Sequence, residues 1–566
     1  MKKTVLLLSL LLIAGIASYA GDVISATKAR EIAAQFFCAG QAPSSRKAAA
    51  QAAESLKFVK SSPKDAWHIF NREGGGFVIV SGDSAIGPYL AYSHDSSFKT
   101  EGMPENVALY LSDLEKEVLW YRSHPEAQPC YGSAAGANVT EVDLGTAKWN
   151  QTDPYNLLTP NNSVTGCVAT AMAIVMRHNR WPEKGTGSLP GYTTYSKKYV
   201  IEGYDLGHTY DWDKMPLSGI FTSEEQKNQV AQLMLDCGVM VQMDYTSKVS
   251  GAYTEDIIPA MTEYMGYDKS AKLMIREAYT KDAWFEIIKE QIDADHPVLY
   301  GGNSEDGGHQ FVVDGYNSSK EVHINFGWGG SGDGFYMLTD MGGFTSYNDL
   351  IINIKKDEGG VYEPYYMMSL YRGGIELDGA YKKDQPFTII TTGWLVSASQ
   401  DTFNGEVAVG VDDYYGNFSA IISDRLECED LGYMYGFEGA DFTCTAGSVR
   451  PGRRVQLYFR PDGQEEWTPC GHTDDVTWFL YPAGEDIDFE QYTDITFDKS
   501  ASTLTVSLPI DDVEYSFKDA SGRDVAVSAT STGDGVVLTI DTSGLSGDCT
   551  LTLTRYEQVR TITIAL

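Results

Sequence analysis

Apolar positions recur at two different spacings along this chain, and the switch between them divides it. From Ala26 to Phe37, and again from Asn106 to Trp120, they return every three to four residues, as on a helix with one buried face. Val107, Leu111, Leu114 and Val118 make that face in the second helix. Between the two, "GGGFVIVSGDSAIGPYLAYS" opens with a glycine turn at Gly74–Gly76 and predicts two strands about a Gly-Asp turn, so residues 21–140 read as a separate small α/β unit. "GSAAGANVTEV" from Gly132 is small and polar, and predicts an exposed linker open to proteases.

Residues 141–356 mix the two periods. Helices are predicted from Cys167, from Ser223 and over Asp282–Ile292. Ser223 to Gln226 fits a capping box, and Val230, Leu233, Met234 and Cys237 follow on one face, so Cys237 reads as core. From Pro297 the pattern alternates in "PVLYGG", "HQFVVDGY", "EVHINFGW" and "GFYML", with a hairpin turn at Asn317–Lys320. Helices followed by strands predict an α+β domain. After 357 the helical period disappears. Short runs such as "EVAVGV", "RVQLYF" and "VVLTI", separated by Gly, Asp and Ser, predict two β-sandwich-like domains. A change of character at Ala483–Thr493 splits them into 357–484 and 485–566.

A length of 566 residues suits three or four domains, and 43% hydrophobic residues is ordinary for globular protein. The formal charge of −35 argues against nucleic acid or an anionic membrane as partner. Lys2 and Lys3, the apolar run Val5–Ile16 and the small-x-small site Ser18-Tyr19-Ala20 predict a signal peptide over 1–20. No later run reaches the roughly 20 apolar residues of a membrane span, so no transmembrane segment is expected. Export would leave the protein secreted or in the cell envelope. The eight cysteines are sparse and include no C-x-x-C pair, so neither a disulfide scaffold nor a zinc ribbon is expected. No cofactor or metal is implied.

One cysteine stands apart. In "NNSVTGCVATAMAIVMRHNRWP", Cys167 follows a glycine and opens a helix. A helix N-terminus favours the thiolate, the reactive form, although a buried free cysteine fits the position equally well. Of nine histidines, His178 lies 11 residues along the same helix, about 16 Å away, and cannot reach. His309 follows two glycines in "EDGGHQF", 142 residues after Cys167, within the ~130–150 separation of papain-like pairs. His323, inside the next strand, reads more simply as a strand residue. Asn325 could orient the imidazole, Trp328 could cover it, and Gln151 could donate to an oxyanion beside the backbone N–H of Cys167.

"WNQTDPYNLLTP…SVTGCVATAMAIVMRHNRWP", "GGHQFVVDGY" and "INFGWGGSGDGFYML" together resemble the streptopain family of secreted cysteine peptidases, in the Bacteroidetes form with C-terminal β domains. The resemblance is strong over 141–356 and extends, through "GFVIVSGDSAIGPYLAYS", to an inhibitory propeptide over 21–140. It implies a papain-like catalytic domain over 141–356, secretion as a zymogen, and endopeptidase activity on protein or peptide substrates, with the propeptide as intramolecular inhibitor. By motif, Cys167 is the nucleophile, His309 the general base and acid, and Gln151 the oxyanion donor. Ser250 and Gly251 in "YTSKVSGAYT", and Gly308, match substrate contacts. The family often has Asn-Trp-Gly-Trp-Gly where this chain has Asn325-Phe326-Gly327-Trp328-Gly329, which leaves one aromatic wall without an indole N–H.

The alternatives are a binding or inhibitor protein that has lost catalysis, and another Cys-His enzyme such as a transglutaminase or cell-wall amidase. Retention of Cys167 and His309 argues against the first, and "TGCVATA" against the second. The β domains could bind polysaccharide, protein or the cell surface, direct sorting, or act as spacers.

Overall fold

The computed structural model describes residues 22–38, 54–84, 86–124, 139–304, 307–337, 346–371, 373–379, 381–382, 385–412, 417–446, 448–449, 454–474, 480, 494–508, 513–532, 535–555 and 558–566. The signal peptide, Cys130, most of the linker from Gly132 and the boundary at Ala483–Thr493 lie outside this set. The described residues fall into two compact units, one within Met1–Met274 and Asp282–Glu363, the other within Ile275–Lys281 and Pro364–Leu566.

The first unit begins with α1 (Ala26–Cys38), β1 (Leu56–Ser61), β2 (Trp67–Arg72), β3 (Phe77–Ser81), β4 (Tyr89–Ser93) and α2 (Glu105–Ser123). After β5 (Glu141–Asp143) comes α3 (Cys167–Asn179). Two short pairs follow, β6 (Ser188–Leu189) with β9 (Tyr204–Asp205) and β7 (Tyr192–Thr193) with β8 (Val200–Ile201). Then come α4 (Glu224–Met240), α5 (Ile257–Tyr264), β10 (Lys272–Ile275) and α6 (Lys281–Asp293). Five strands close the unit: β11 (Val298–Ser304), β12 (Gly307–Asn317), β13 (Glu321–Asn325), β14 (Gly334–Met337) and β15 (Ser346–Ile352).

These strands make one eleven-stranded sheet, ordered β1-β2-β3-β4-β14-β13-β12-β11-β15-β10, with β5 also paired to β12. The sequence suggested that residues 21–140 form a separate small unit. Instead their sheet continues into the next domain, because the β4 edge pairs antiparallel with β14, Tyr92 opposite Phe335 and Ala91 opposite Tyr336. An unpaired strand edge is a template for another strand, and here β14 supplies it. Gly334 permits the approach, since a Cβ there would lie 2.3 Å from the Tyr92 carbonyl oxygen.

Aromatic packing strengthens this junction. Phe77 meets Tyr336, Tyr92 stacks on Phe335, Phe98 meets Trp328 edge-on, and Tyr110 packs against Phe326 and Tyr336. Each such pair contributes about 0.5–1.5 kcal/mol beyond its buried area. The exposed Lys148–Asp95 ion pair at the same junction contributes at most about 1 kcal/mol. Packing therefore dominates the attachment.

Elsewhere the helices follow their sequence cues. Ser223 Oγ accepts the Gln226 N–H at 3.3 Å and so caps α4. The returning bond reaches one residue further back than in a capping box, from the Thr222 N–H to Gln226 Oε1. Cys237 is fully buried beside Met176. Helix α3 is buried from Val168 to Arg177, as a helix in the middle of a domain must be.

Among its described residues the second unit holds two apolar clusters. Met368, Phe387, Val407, Phe442 and Leu457 belong to one, shared by a four-stranded and a seven-stranded sheet. Leu504, Phe517, Leu538 and Leu551 belong to the other, between two four-stranded sheets. None of Cys428, Cys444, Cys470 and Cys549 is in a disulfide.

A buried polar knot crosses the β4–β14 junction. Tyr92 Oη donates to Glu141 at 2.7 Å, and Asn317 Nδ2 donates to Tyr92 Oη at 3.0 Å and to Glu321 at 2.5 Å. His94 lies 3.0 Å from Glu141. Burial, opposed by the Asn317 bond and reinforced by the Glu141 charge, pushes the Glu321 carboxyl up to about 7. A raised carboxyl favours the folded state fully below its unfolded value, about 4.5, and that stabilisation is lost as pH rises through about 7. Relative to the natural protein, Glu321→Gln should thus gain stability between pH 4.5 and 7.5, by up to about 3 kcal/mol. Chemical unfolding at the two pH values measures this, and a difference unchanged by pH would contradict it.

Candidate active site

Cys167 is the first residue of α3, half-buried and in no disulfide. Its predecessor must be glycine on two counts. Gly166 has φ +87°, and a Cβ there would lie 2.7 Å from Met243 Sδ and 2.9 Å from the Ser250 carbonyl oxygen. No side chain caps the helix, and a helix N-terminus carries a partial positive charge that favours a thiolate. Thr170, one turn in, donates its hydroxyl to the Gly166 carbonyl at 2.8 Å and lies 2.7 Å from the Thr165 hydroxyl. The bend before the helix is thereby tied to the helix itself.

The loop Tyr245–Thr254 is strapped to the same approach. Val164 donates its N–H to the Thr246 carbonyl at 3.1 Å, and Ser250 Oγ donates to the Val164 carbonyl at 2.7 Å. The Thr246 N–H in turn donates to Ser250 Oγ at 3.0 Å. The Ser250 side chain is buried and spent on this strap. Gly251 is exposed, with open space where a Cβ would stand.

A cleft of about 900 Å³ is lined by Cys167, Gln151, Ser250, Gly251, Gly308 and Gln310 among others. Five of the eight residues singled out in the sequence therefore share one cavity. Gln151 is fixed at its backbone, its N–H donating to Asn150 Oδ1 at 2.8 Å and its carbonyl accepting from Thr165 at 3.1 Å. Gly102, Met103 and Pro104, which precede α2, line the same cleft. No periodic pattern marks them, because they lie between periodic segments.

His309 lies on β12, paired with Gly302 of β11, next to the cleft residues Gly308 and Gln310. Its side chain lies outside the described set. Asn325 ends β13 opposite Val312 and is buried. Its Nδ2 donates to Thr146 Oγ1 at 2.9 Å and to the Ala147 carbonyl at 3.0 Å, and its Oδ1 accepts the Gly327 N–H at 3.0 Å. Trp328 is buried against Phe98. Phe326, the departure from the family pattern, packs among Tyr110, Phe311 and Tyr336.

Behind Asn325 lies a charged cluster that the sequence reading missed. His323 Nδ1 sits 2.6 Å from Asp314 Oδ1 and 3.9 Å from Asp143. Burial works against a charged imidazole here, but Asp314, then Asp143 and Asp333, outweigh it and hold His323 above its usual range. The same pairing, with hydrogen bonds from Thr146, draws Asp314 down despite its burial. Burial pushes Asp333 up to about 7, against the pull of His323. Asp143, Asp314 and His323 each place one possible metal-ligand atom within 4.8 Å of the others. The Asp314 oxygens already accept from His323 and Thr146, which accounts for the cluster without an ion.

The Peptidase C10 family model matches residues 149–336, and the Spi protease inhibitor model matches 21–118. Streptopain of Streptococcus pyogenes is 30% identical over 349 residues, which span 55% of this chain and 87% of that protein. The thiol protease/hemagglutinin PrtT of Porphyromonas gingivalis is 28% identical over 385 residues, 63% of this chain and 44% of that protein. Among solved structures, a prointerpain A fragment of Prevotella intermedia is 30% identical with a TM-score of 0.46, and covers 53% of this chain and 99% of its own. The chain belongs to the peptidase C10 family, the streptopain family of cysteine peptidases, as a zymogen whose N-terminal domain is of the inhibitor type.

Proposed function

We propose that Cys167 is the nucleophile and His309 the general base and acid of an exported endopeptidase, with Gln151 as oxyanion donor. The observation that carries this reading is the thiol at the first turn of α3, facing a cleft whose lining also includes Gln151 and Gly308. The helix N-terminus favours the thiolate, and an imidazolium on the facing strand would favour it further. The thiolate sulfur attacks the scissile carbonyl carbon. The carbonyl oxygen becomes an oxyanion held by the Cys167 N–H and the Gln151 side-chain amide. His309 passes its proton to the departing amine, then takes one from the water that releases the acyl group. Asn325 orients the imidazole, and Trp328 shields that contact from water.

Substrate backbone would pass between Gly251 and Gly308, where the absence of side chains permits close approach. Ser250 serves there through its backbone, its hydroxyl being engaged elsewhere. Residues 21–140 act as the intramolecular inhibitor, with Gly102–Pro104 occupying part of the cleft wall. Residues 357–484 and 485–566 are read as two β domains appended to the catalytic domain of 141–356. The signal-like N-terminus supports secretion to the envelope or exterior, and among the described residues no helix is long and apolar enough to cross a membrane.

Cys167→Ala should abolish hydrolysis of a general protein substrate and leave the full chain uncut, with the unfolding midpoint nearly unchanged. Proteolysis by purified Cys167→Ala would overturn the assignment. An oxyanion donor acts on charge that exists only in the transition state, so Gln151→Ala should lower kcat about 10²–10³-fold with KM little changed. A rise in KM at constant kcat would instead place Gln151 in a substrate pocket.

A further inference from the structure

The role of residues 364–474 turns on seven residues from elsewhere in the chain. Ile275–Lys281 runs from the end of β10 to the start of α6, inside the stretch that matches the peptidase, yet it belongs to the second compact unit. The chain enters that unit at Ile275, leaves it at Lys281 and returns at Pro364. A domain merely appended at one end is entered once.

One face of a β-sheet seats the segment. The strand Met368–Tyr371 pairs antiparallel with Trp394–Ser397 and parallel with Gly471–His472, so Gly471, Ser369 and Val396 stand in one row. Side chains alternate along a strand. Met368 and Leu370 are fully buried in the apolar cluster with Phe387 and Leu457. Ser369 and Val396 therefore face the other way, yet both are buried too, Ser369 completely. The 3₁₀ turn Arg276–Ala278 covers this side at Ser369 and Gly471. Ser369 Oγ donates to the Glu277 carbonyl at 2.7 Å. A Cβ on Gly471 would lie 2.3 Å from the Ala278 carbonyl oxygen and 2.8 Å from the Ala278 Cβ, so only glycine leaves the turn its place.

The segment is held along its whole length. Arg276, Glu277 and Ala278 are all buried, and Arg276 donates to the Tyr279 carbonyl. The Tyr279 hydroxyl meets the Tyr365 hydroxyl. Lys281, the first residue of α6, donates its N–H to Asp474 Oδ2 at 2.7 Å. A carboxylate at a helix N-terminus satisfies an orphan N–H and complements the helix dipole. Such a partner usually comes from the residue just before the helix. Here it comes from 193 residues away. Two charged side chains taken out of water on a single turn mark a fixed seat, since burial without partners is costly.

We propose that the sheet face bearing Ser369 and Gly471 is a docking surface for Ile275–Lys281, and that this docking keeps the β domain of 364–474 on the peptidase when the chain is cut between them. The domain is then a retained part of the working protein and not a detachable spacer. The proposal does not rest on the catalytic roles given above.

The test uses the full chain with Cys167→Ala, which prevents self-cutting by the proposed nucleophile. A recognition sequence for a site-specific protease is inserted between Val361 and Tyr362, both exposed. After complete cutting, gel filtration with light scattering at micromolar concentration should still show one particle with the mass of the uncut chain. Gly471→Leu fills the place of Ala278 and should release the C-terminal piece. Ser369→Ala combined with Asp474→Ala removes two hydrogen bonds and leaves the strand pairing intact. It should raise the dissociation constant of the cut pieces about 10–100-fold, and it keeps the question answerable if Gly471→Leu does not fold. Separation of the pieces in the chain without substitutions at 369, 471 and 474 overturns the proposal. Undiminished retention in the substituted chains overturns it as well, because another surface would then hold the pieces together.

Discussion

One strand, β12, has to satisfy three pairings at once, and the site follows from how it does so. Its first half pairs with β11, which places Gly308, His309 and Gln310 in register with Asn303, Gly302 and Gly301. β13 lies alongside from Val312 onward. Where β11 ends, at Val298 opposite Val313, β5 takes over from Gly315. Three partners on one strand of eleven residues require a bulge and a glycine, and Asp314 and Gly315 are those residues. One end of the strand meets the cleft, and the other anchors the buried carboxylate behind Asn325.

The inhibitor-type domain exploits the same sheet from its far side. It adds β4 to β14 and buries Phe98 against Trp328, while Gly102–Pro104 reach the cleft. Strand addition supplies register, and the aromatic pairs supply most of the energy. Because the sheet is continuous, the domain cannot be lifted from the cleft without also unzipping β4. The polar knot of Tyr92, Glu141, Asn317 and Glu321 spans that seam. Cutting the linker and parting the seam are therefore separate events, and pH acts on the second through the raised Glu321 carboxyl.

Much of this was legible in the residues. The α1 and α2 periods, the cap at Ser223, the hairpin at Asn317–Lys320 and the helix opening at Cys167 are local features, and local features leave local signals. Gly166 before Cys167 and Gly307–Gly308 before His309 marked the places where a substrate needs room. The shared sheet did not show, because an edge such as β4 carries no record of its partner. Asp314 did not show either. Alternation assumes one residue per step, and a bulge breaks that count without any mark in composition. His323 was passed over for the same reason, since its partner was invisible. Met103 and its neighbours lie in a stretch with no period at all.

The central claim is that Cys167 is a reactive thiolate kept from substrate by the N-terminal domain. Labelling with a peptide-based thiol inhibitor, followed by mapping of the modified peptide, tests both parts together. The expected result is modification at Cys167, slow in the uncut chain and many-fold faster once residues 22–124 have been removed. Equal rates before and after removal would contradict the inhibitory role, and a label on any cysteine other than Cys167 would contradict the site.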